Sequence, residues 1–308
     1  MSALPLVAVF GPTGVGKTAV AIALAERLRA DGEDPVAVSA DALQVYRGLA
    51  ILTGAASAAE RARLEHRLIG ILGVAETFSA GAYARLAHAE IDALLAAGRR
   101  PIVVGGTGLY LRAALAELDL RPPVDAEIRA RWSERLAVEG PERLHAELAT
   151  RAPAAAAGLR PSDAQRVTRA LELLDAGHAP PRGAGDPGSQ LWTSDARHPT
   201  LLAGLVRDRA DLYARIDARV EAMVAAGAAA EVRAAHAAGA SATARRALGF
   251  DELLRGDVAA MQQRTRRYAK RQLTWMRRLP GVRLLDLSGR GADEVAGELH
   301  AALRGRAP

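Results

Sequence analysis

The chain has 308 residues and a formal net charge of +6, and half of its residues are hydrophobic although only 4% are aromatic. That length exceeds the usual single-core size, so one large α/β domain with a smaller inserted unit is expected. The lack of any cysteine excludes disulfides, thiolate metal sites and a cysteine nucleophile, while the basic excess suits a polyanionic partner without naming one.

Met1 to Phe10 lacks a basic segment followed by the apolar stretch of a secretory signal, and runs such as Ile91 to Ala97 are too short to span a bilayer. A cytoplasmic protein is therefore expected. Leu4 to Phe10 is a continuous apolar run that predicts a buried strand, and Thr18 to Ala30 is patterned as a helix through Val20, Ala23, Leu24 and Leu28. Val36 to Ser39 and Pro101 to Val104 predict further buried strands, the second preceded by a helix over Ala82 to Ala97 that Gly98 ends. Short buried strands alternating with helices imply a parallel sheet flanked by helices, an α/β fold.

From Arg121 to about Arg197 strand signals vanish, and Ala126 to Val138 and Asp163 to Ala176 read as helices. This predicts a mainly helical insertion, 119–197, within a core built from 1–118 and 198–308. The Pro- and Gly-rich stretch Ala179 to Ser189 reads as a loop near its second boundary. Strand character returns at Leu201 to Val206. The helix Ala210 to Ala226 then carries Leu212, Ile216, Val220, Met223 and Val224 on one face, and Val282 to Leu287 predicts a last strand before a C-terminal helix.

Gly11-Pro12-Thr13-Gly14-Val15-Gly16-Lys17-Thr18 fits the pattern G-x-x-x-x-G-K-[ST] between a buried strand and a helix start. Successive amides there point at phosphate oxygens, aided by the positive helix N-terminus, and Lys17 adds a charge. Thr18 can offer its hydroxyl to Mg²⁺. The loop identifies phosphate, not chemistry. NTP hydrolases usually also carry a strand ending in an acid that positions the metal, whereas Pro101 to Val104 runs into Gly105-Gly106-Thr107-Gly108. The strand Val36 to Ser39 does lead to Asp41, so a kinase is not excluded.

A second signal is the segment Gln263 to Leu279. At about 100° per residue, Met261, Tyr268, Trp275, Met276 and Leu279 fall on one half of a helix, with Arg264, Arg266, Arg267, Lys270, Arg271, Arg277 and Arg278 on the other. No acid occurs between Asp257 and Asp286 to pair them within the helix, which predicts a phosphate-binding face. Of 41 basic residues only Lys17 and Lys270 are lysines, and they fall in these two signals.

Read with the phosphate loop, four further segments resemble the tRNA dimethylallyltransferase (isopentenyltransferase) family over essentially the whole chain. They are Ser39 to Arg47 (SADALQVYR), Val104 to Tyr110 (VGGTGLY), Asp163 to Glu172 (DAQRVTRALE) and Ala269 to Trp275 (AKRQLTW). The resemblance implies transfer of a dimethylallyl group from dimethylallyl diphosphate, with Mg²⁺, to N6 of the adenosine 3′-adjacent to the anticodon. It implies Asp41 as general base toward the exocyclic amine, Thr107 near the reacting centre and Arg215 as the catalytic arginine, with Arg209 also near the diphosphate.

Contacts to tRNA are implied for Asp41, Ala42, Leu43, Gln44, Thr107 and Arg129, and for Gln165, Arg166, Val167, Thr168 and Arg169. They are implied also for Arg246, Gly249, Lys270, Arg271, Gln272, Trp275 and Arg277. Gln44 has a donor and an acceptor on one amide, matching the edge of adenine. Two departures stand out: Ala42 replaces a family Ser, and Thr53-Gly54-Ala55-Ala56 lacks a family Lys. A monomer is expected. The residues alone leave open a transferase acting on free adenine nucleotide, a small-molecule kinase and a nucleotide-controlled RNA-binding module.

Overall fold

A computed structural model describes residues 5–118, 120–180 and 190–305. Leu4, and all of the predicted loop Ala179 to Ser189 beyond its first two residues, lie outside the described residues. The chain divides into two compact units, Met1–Glu117 with Trp192–Pro308, and Leu118–Leu191.

The first unit begins β1 (Leu6–Phe10), α1 (Lys17–Ala30), β2 (Pro35–Ser39), α2 (Ala50–Thr53), α3 (Ala58–Arg63), β3 (His66–Arg67), α4 (Ala80–Ala96), β4 (Arg100–Gly105) and α5 (Gly108–Leu115). The second unit contributes α6 (Ala126–Glu139), α7 (Pro141–Arg151), α8 (Pro153–Ala157) and α9 (Ala164–Asp175). The chain then resumes the first unit with β5 (Thr200–Val206), α10 (Arg209–Ala225), α11 (Ala228–Ala237), α12 (Phe250–Leu254), α13 (Val258–Met276), β6 (Arg283–Asp286) and α14 (Ala292–Arg304).

The six strands form one parallel sheet in the order β3-β2-β4-β1-β5-β6. β1 and β2 are buried along their whole length, as continuous apolar runs covered on both faces should be. α1 buries Val20 to Ala25 and Leu28 and packs against α14, so the phosphate-loop helix is fixed from both sides. Arg100 is buried at the start of β4, where an ion pair to Glu33 and the Pro5 carbonyl at 2.5 Å take up its donors.

Register places the site. Phe10 pairs with Gly105, and Ser39 with Val104, so the loops leaving β1, β2 and β4 emerge together at the carboxyl ends of the strands. Open α/β sheets bind ligands at that edge. Gly105 is required there, since a Cβ would lie 2.3 Å from the Ala40 carbonyl oxygen.

The helical unit closes around its own core of Trp132, Leu144, Leu148, Ala156, Val167, Ala170 and Leu171. Asp175 ties its helices together, accepting from Trp132 Nε1 at 2.8 Å and pairing with Arg151 at 2.5 Å and with Arg131. The return to the sheet unit comes at Trp192, earlier than the predicted 198. There the rings of Trp192 and Trp275 lie 4.7 Å apart, and the Arg278 guanidinium stacks 3.9 Å from the Trp192 centroid. Among the described residues no helix is long and apolar enough to cross a membrane.

Candidate active site

The loop between β1 and α1 turns through Gly14 and Gly16, both in the left-handed region at φ 81° and 112°. Gly11, Pro12 and Val15 form its buried back, while Thr13, Gly14, Gly16, Lys17 and Thr18 line a cavity of about 1260 Å³. Lys17 Nζ donates to the carbonyls of Gly11 at 2.9 Å and Pro12 at 3.0 Å. Burial, and then the positive charge of Arg219, lower its pKa to about 7, an effect that the Asp41 carboxylate partly offsets. A desolvated amine beside a second cation, in no ion pair among the described residues, is stabilised in its charged form by an anion.

The loop after β2 brings Asp41, Ala42, Leu43 and Gln44 to the same cavity. One Asp41 oxygen accepts from the Leu43 N–H at 2.9 Å, a local turn that orients the carboxylate. Gln44 Oε1 accepts from the Ser39 hydroxyl at 3.0 Å, and its Nε2 faces the Gly54 carbonyl at 3.4 Å. Tyr83 donates to the Ser39 carbonyl at 3.0 Å, bracing the loop from behind.

Thr107 is the first residue ahead of α5 and also lines the cavity. Its Oγ1 lies 3.2 Å from the Tyr268 hydroxyl, which α13 brings from the opposite side. Burial, together with the Asp41 charge, pushes the Tyr268 phenol up to about 12, so it stays a neutral hydrogen-bonding group.

Arg219 also lines the cavity, a residue that no sequence motif singles out. Its Nη1 lies 3.5 Å from Thr13 Oγ1, its Nη2 donates to the Gly54 carbonyl at 3.2 Å, and burial lowers its pKa. Gly54 makes room for it, since a Cβ there would lie 1.7 Å from Arg219 Nη2. The signal was present: seven residues after Leu212, Arg219 falls about 20° from it, in the middle of the apolar face of α10. Arg215, expected as the catalytic arginine, lies at the cavity margin, exposed, with Nε donating to the Gly14 carbonyl at 3.1 Å. Arg209 stacks on Tyr213, 5.2 Å from its centroid.

The residues expected to contact tRNA differ in exposure. Val167 is fully buried and Thr168 is 6% exposed, so their side chains belong to the helical core. Gln165, Arg166 and Arg129 are exposed on that unit, while Arg169 pairs with Glu172 at 3.0 Å. Gly249 is buried at φ 93°, where a Cβ would lie 2.5 Å from Met261 Sδ, so it serves the turn. Trp275 turns inward against Phe10, Trp192 and Gly108. Gln272 is buried with both ends of its amide occupied. Arg246, Arg271 and Gln272 line the cavity.

The basic face of α13 is thinner than its sequence suggests, because other elements supply acids. Glu252 pairs with Arg264 at 2.8 Å, and Asp217 pairs with Arg266. Arg267, Lys270 and Arg277 are exposed and make no ion pair among the described residues. No group of three or more His, Asp or Glu able to hold a metal occurs among the described residues. The Thr18 hydroxyl, lining the cavity beside Lys17, fits a magnesium ion whose other ligands are diphosphate oxygens and water, the usual state of Mg²⁺ at phosphates.

A family model described as IPP transferase matches residues 44–279. A tRNA dimethylallyltransferase of Kineococcus radiotolerans is 43% identical over 295 residues, covering 92% of this chain and 90% of that one. The crystal structure of a full-length tRNA isopentenylpyrophosphate transferase from Bacillus halodurans superposes with a TM-score of 0.69 at 32% identity, over 98% of this chain and 96% of that one. A eukaryotic dimethylallyltransferase captured acting on tRNA shares the fold, with a TM-score of 0.73 at 24% identity over 98% of this chain and 77% of that one. The extent of the family match and the identity to these relatives show that the chain belongs to the tRNA dimethylallyltransferase, or IPP transferase, family.

Proposed function

We propose that the chain transfers the dimethylallyl group of dimethylallyl diphosphate to N6 of the adenosine 3′-adjacent to the anticodon, acting as a cytoplasmic monomer. One observation carries the reading: Lys17 and Arg219, two cations whose pKa values desolvation lowers, line the same cavity as Asp41 and Thr107. A leaving diphosphate and an accepting base thus find their partners in one cavity.

The diphosphate rests on the loop amides of Gly14, Gly16, Lys17 and Thr18, with Lys17 and Arg219 drawing charge from its oxygens. Magnesium at Thr18 would supply further neutralisation of the leaving group. The adenosine leaves its stack and enters the cavity, at a cost of a few kcal/mol that contacts to a splayed loop offset. The N6 lone pair is delocalised into the ring, so it is a weak nucleophile until its proton departs. As the N6 to carbon bond forms and the carbon to oxygen bond of the diphosphate breaks, Asp41 accepts the proton. The products are the prenylated adenosine and diphosphate. Thr107, fixed by Tyr268, lies beside the path of the reacting atoms, and Gln44 presents its amide to the base.

Incubation with labelled dimethylallyl diphosphate and Mg²⁺, offering unmodified tRNA or AMP, tests the reading. Label is expected on tRNA. Label on AMP alone would sink it.

A further inference from the structure

Two side chains one turn apart on the inner face of α13 reach two different loops of the cavity. Tyr268 meets the Thr107 hydroxyl at 3.2 Å. Gln272 Oε1 accepts from the Thr13 N–H at 2.9 Å, and its Nε2 donates to the Gly106 carbonyl at 2.7 Å. Gln272 is 5% exposed, so a single planar amide spans the phosphate loop and the loop carrying Thr107, away from solvent.

The fit is close. A Cβ on Gly106 would lie 2.4 Å from Gln272 Nε2 and 3.3 Å from Lys17 Nζ. The junction needs an acceptor and a donor at fixed separation on one group. Glutamate in its ionised form lacks the donor, methionine lacks both functions, and asparagine is one methylene short. On the outer face of the same helix, Arg267 and Lys270 are exposed.

We propose that Gln272 is a positioning residue that sets the distance between the donor loop and the acceptor loop, and is not a contact to RNA. The assignment rests on the prenyl-transfer reading above. α13 then has two jobs on two faces, meeting phosphates outside and fixing the reacting partners inside. Transfer requires the attacked carbon and N6 to approach within about 3–3.5 Å, and a misplacement of about 1 Å costs on the order of 10²-fold in rate. Gln272 joins the supports of both partners, so its loss falls on the rate of the bound complex.

The test compares the full-length wild type with Gln272→Met and Gln272→Glu, measuring tRNA affinity, inorganic diphosphate affinity and the single-turnover rate at saturating substrates. Gln272→Met should lower that rate on the order of 10²-fold and weaken diphosphate binding, with tRNA affinity within about twofold of wild type. Gln272→Glu keeps an acceptor for Thr13 but regains a donor toward Gly106 only when protonated, and burial raises a carboxyl pKa. Its rate relative to wild type should therefore rise as pH falls. A tenfold loss of tRNA affinity with an unchanged bound-state rate would overturn the proposal and restore an RNA contact. If Gln272→Met fails to fold, the ratio for Gln272→Glu decides, and a ratio that is flat with pH overturns it. Failure of the wild type to prenylate tRNA would strike the functional reading instead, while the diphosphate affinities would still report on the junction.

Discussion

Arg219 brings a second buried cation to the wall that holds Lys17, and its charge adds to desolvation in holding the lysine near pKa 7. Unfolded, Lys17 titrates at 10.5. Between about 7 and 10.5 the unfolded chain therefore holds a proton that the ligand-free fold has shed, so this site makes stability rise with pH across that window and imposes its full burial cost below it. Diphosphate supplies the missing counter-charge. Above pH 7 its binding should take up a proton, and calorimetry at pH 8 in buffers of different ionisation enthalpy reads that uptake. Lys17→Met should abolish it, raise the melting temperature of the ligand-free protein and weaken diphosphate binding roughly 10- to 150-fold, the worth of a charged hydrogen bond of about 1.5–3 kcal/mol. The variant also controls for titration of diphosphate itself.

The two arginines of α10 should separate in kinetics. Arg219 faces Thr13 from within the cavity, whereas Arg215 is exposed at its margin. Arg219→Met should lower kcat/KM for dimethylallyl diphosphate by about 10²-fold or more, as loss of a charge-stabilising donor does. Arg215→Met should stay within about fivefold, since exposed polar contacts are worth little. The reverse order would return the catalytic role to Arg215.

Asp41→Ala removes the proton acceptor but none of the exposed cations. Prenyl transfer should fall about 10²- to 10⁴-fold, the usual yield of general-base assistance, while tRNA affinity by filter binding stays close to wild type. A large loss of affinity with an unchanged bound-state rate would contradict the role.

On α13 the unpaired cations should matter most. Replacing Arg267 and Lys270 with alanine should weaken tRNA binding and reduce the slope of log affinity against log salt by roughly 0.7–0.9 per lost phosphate contact. Arg266→Ala should change that slope less, because its guanidinium is already engaged by Asp217. Equal slope changes would mean that the ion pair opens on RNA.

The phosphate loop was legible because a local rule governs it: an apolar strand, glycines at left-handed positions and a helix start follow one another without help from distant residues. The two residues of β3, His66 and Arg67, carry no apolar run and pair only with Ala37 and Val38, so nothing local announces a strand. Arg219 was readable in principle as a charge on an apolar face. The burial of Val167 and Thr168 is not marked in the motif itself, since successive residues of a helix point about 100° apart and only some of them face solvent. The pairing of Arg264 and Arg266 depends on acids that α12 and α10 bring from other parts of the chain, which helical periodicity alone does not reveal.

Transfer of a prenyl group to a tRNA adenosine is read from the mass of the modified nucleoside. Unmodified tRNA is treated with the protein, dimethylallyl diphosphate and Mg²⁺, digested, and its nucleosides are weighed and placed in the sequence. One adenosine per accepting tRNA, 3′-adjacent to the anticodon, should be heavier by one dimethylallyl group in place of one hydrogen. An unchanged adenosine in every tRNA, together with release of phosphate from ATP, would contradict it.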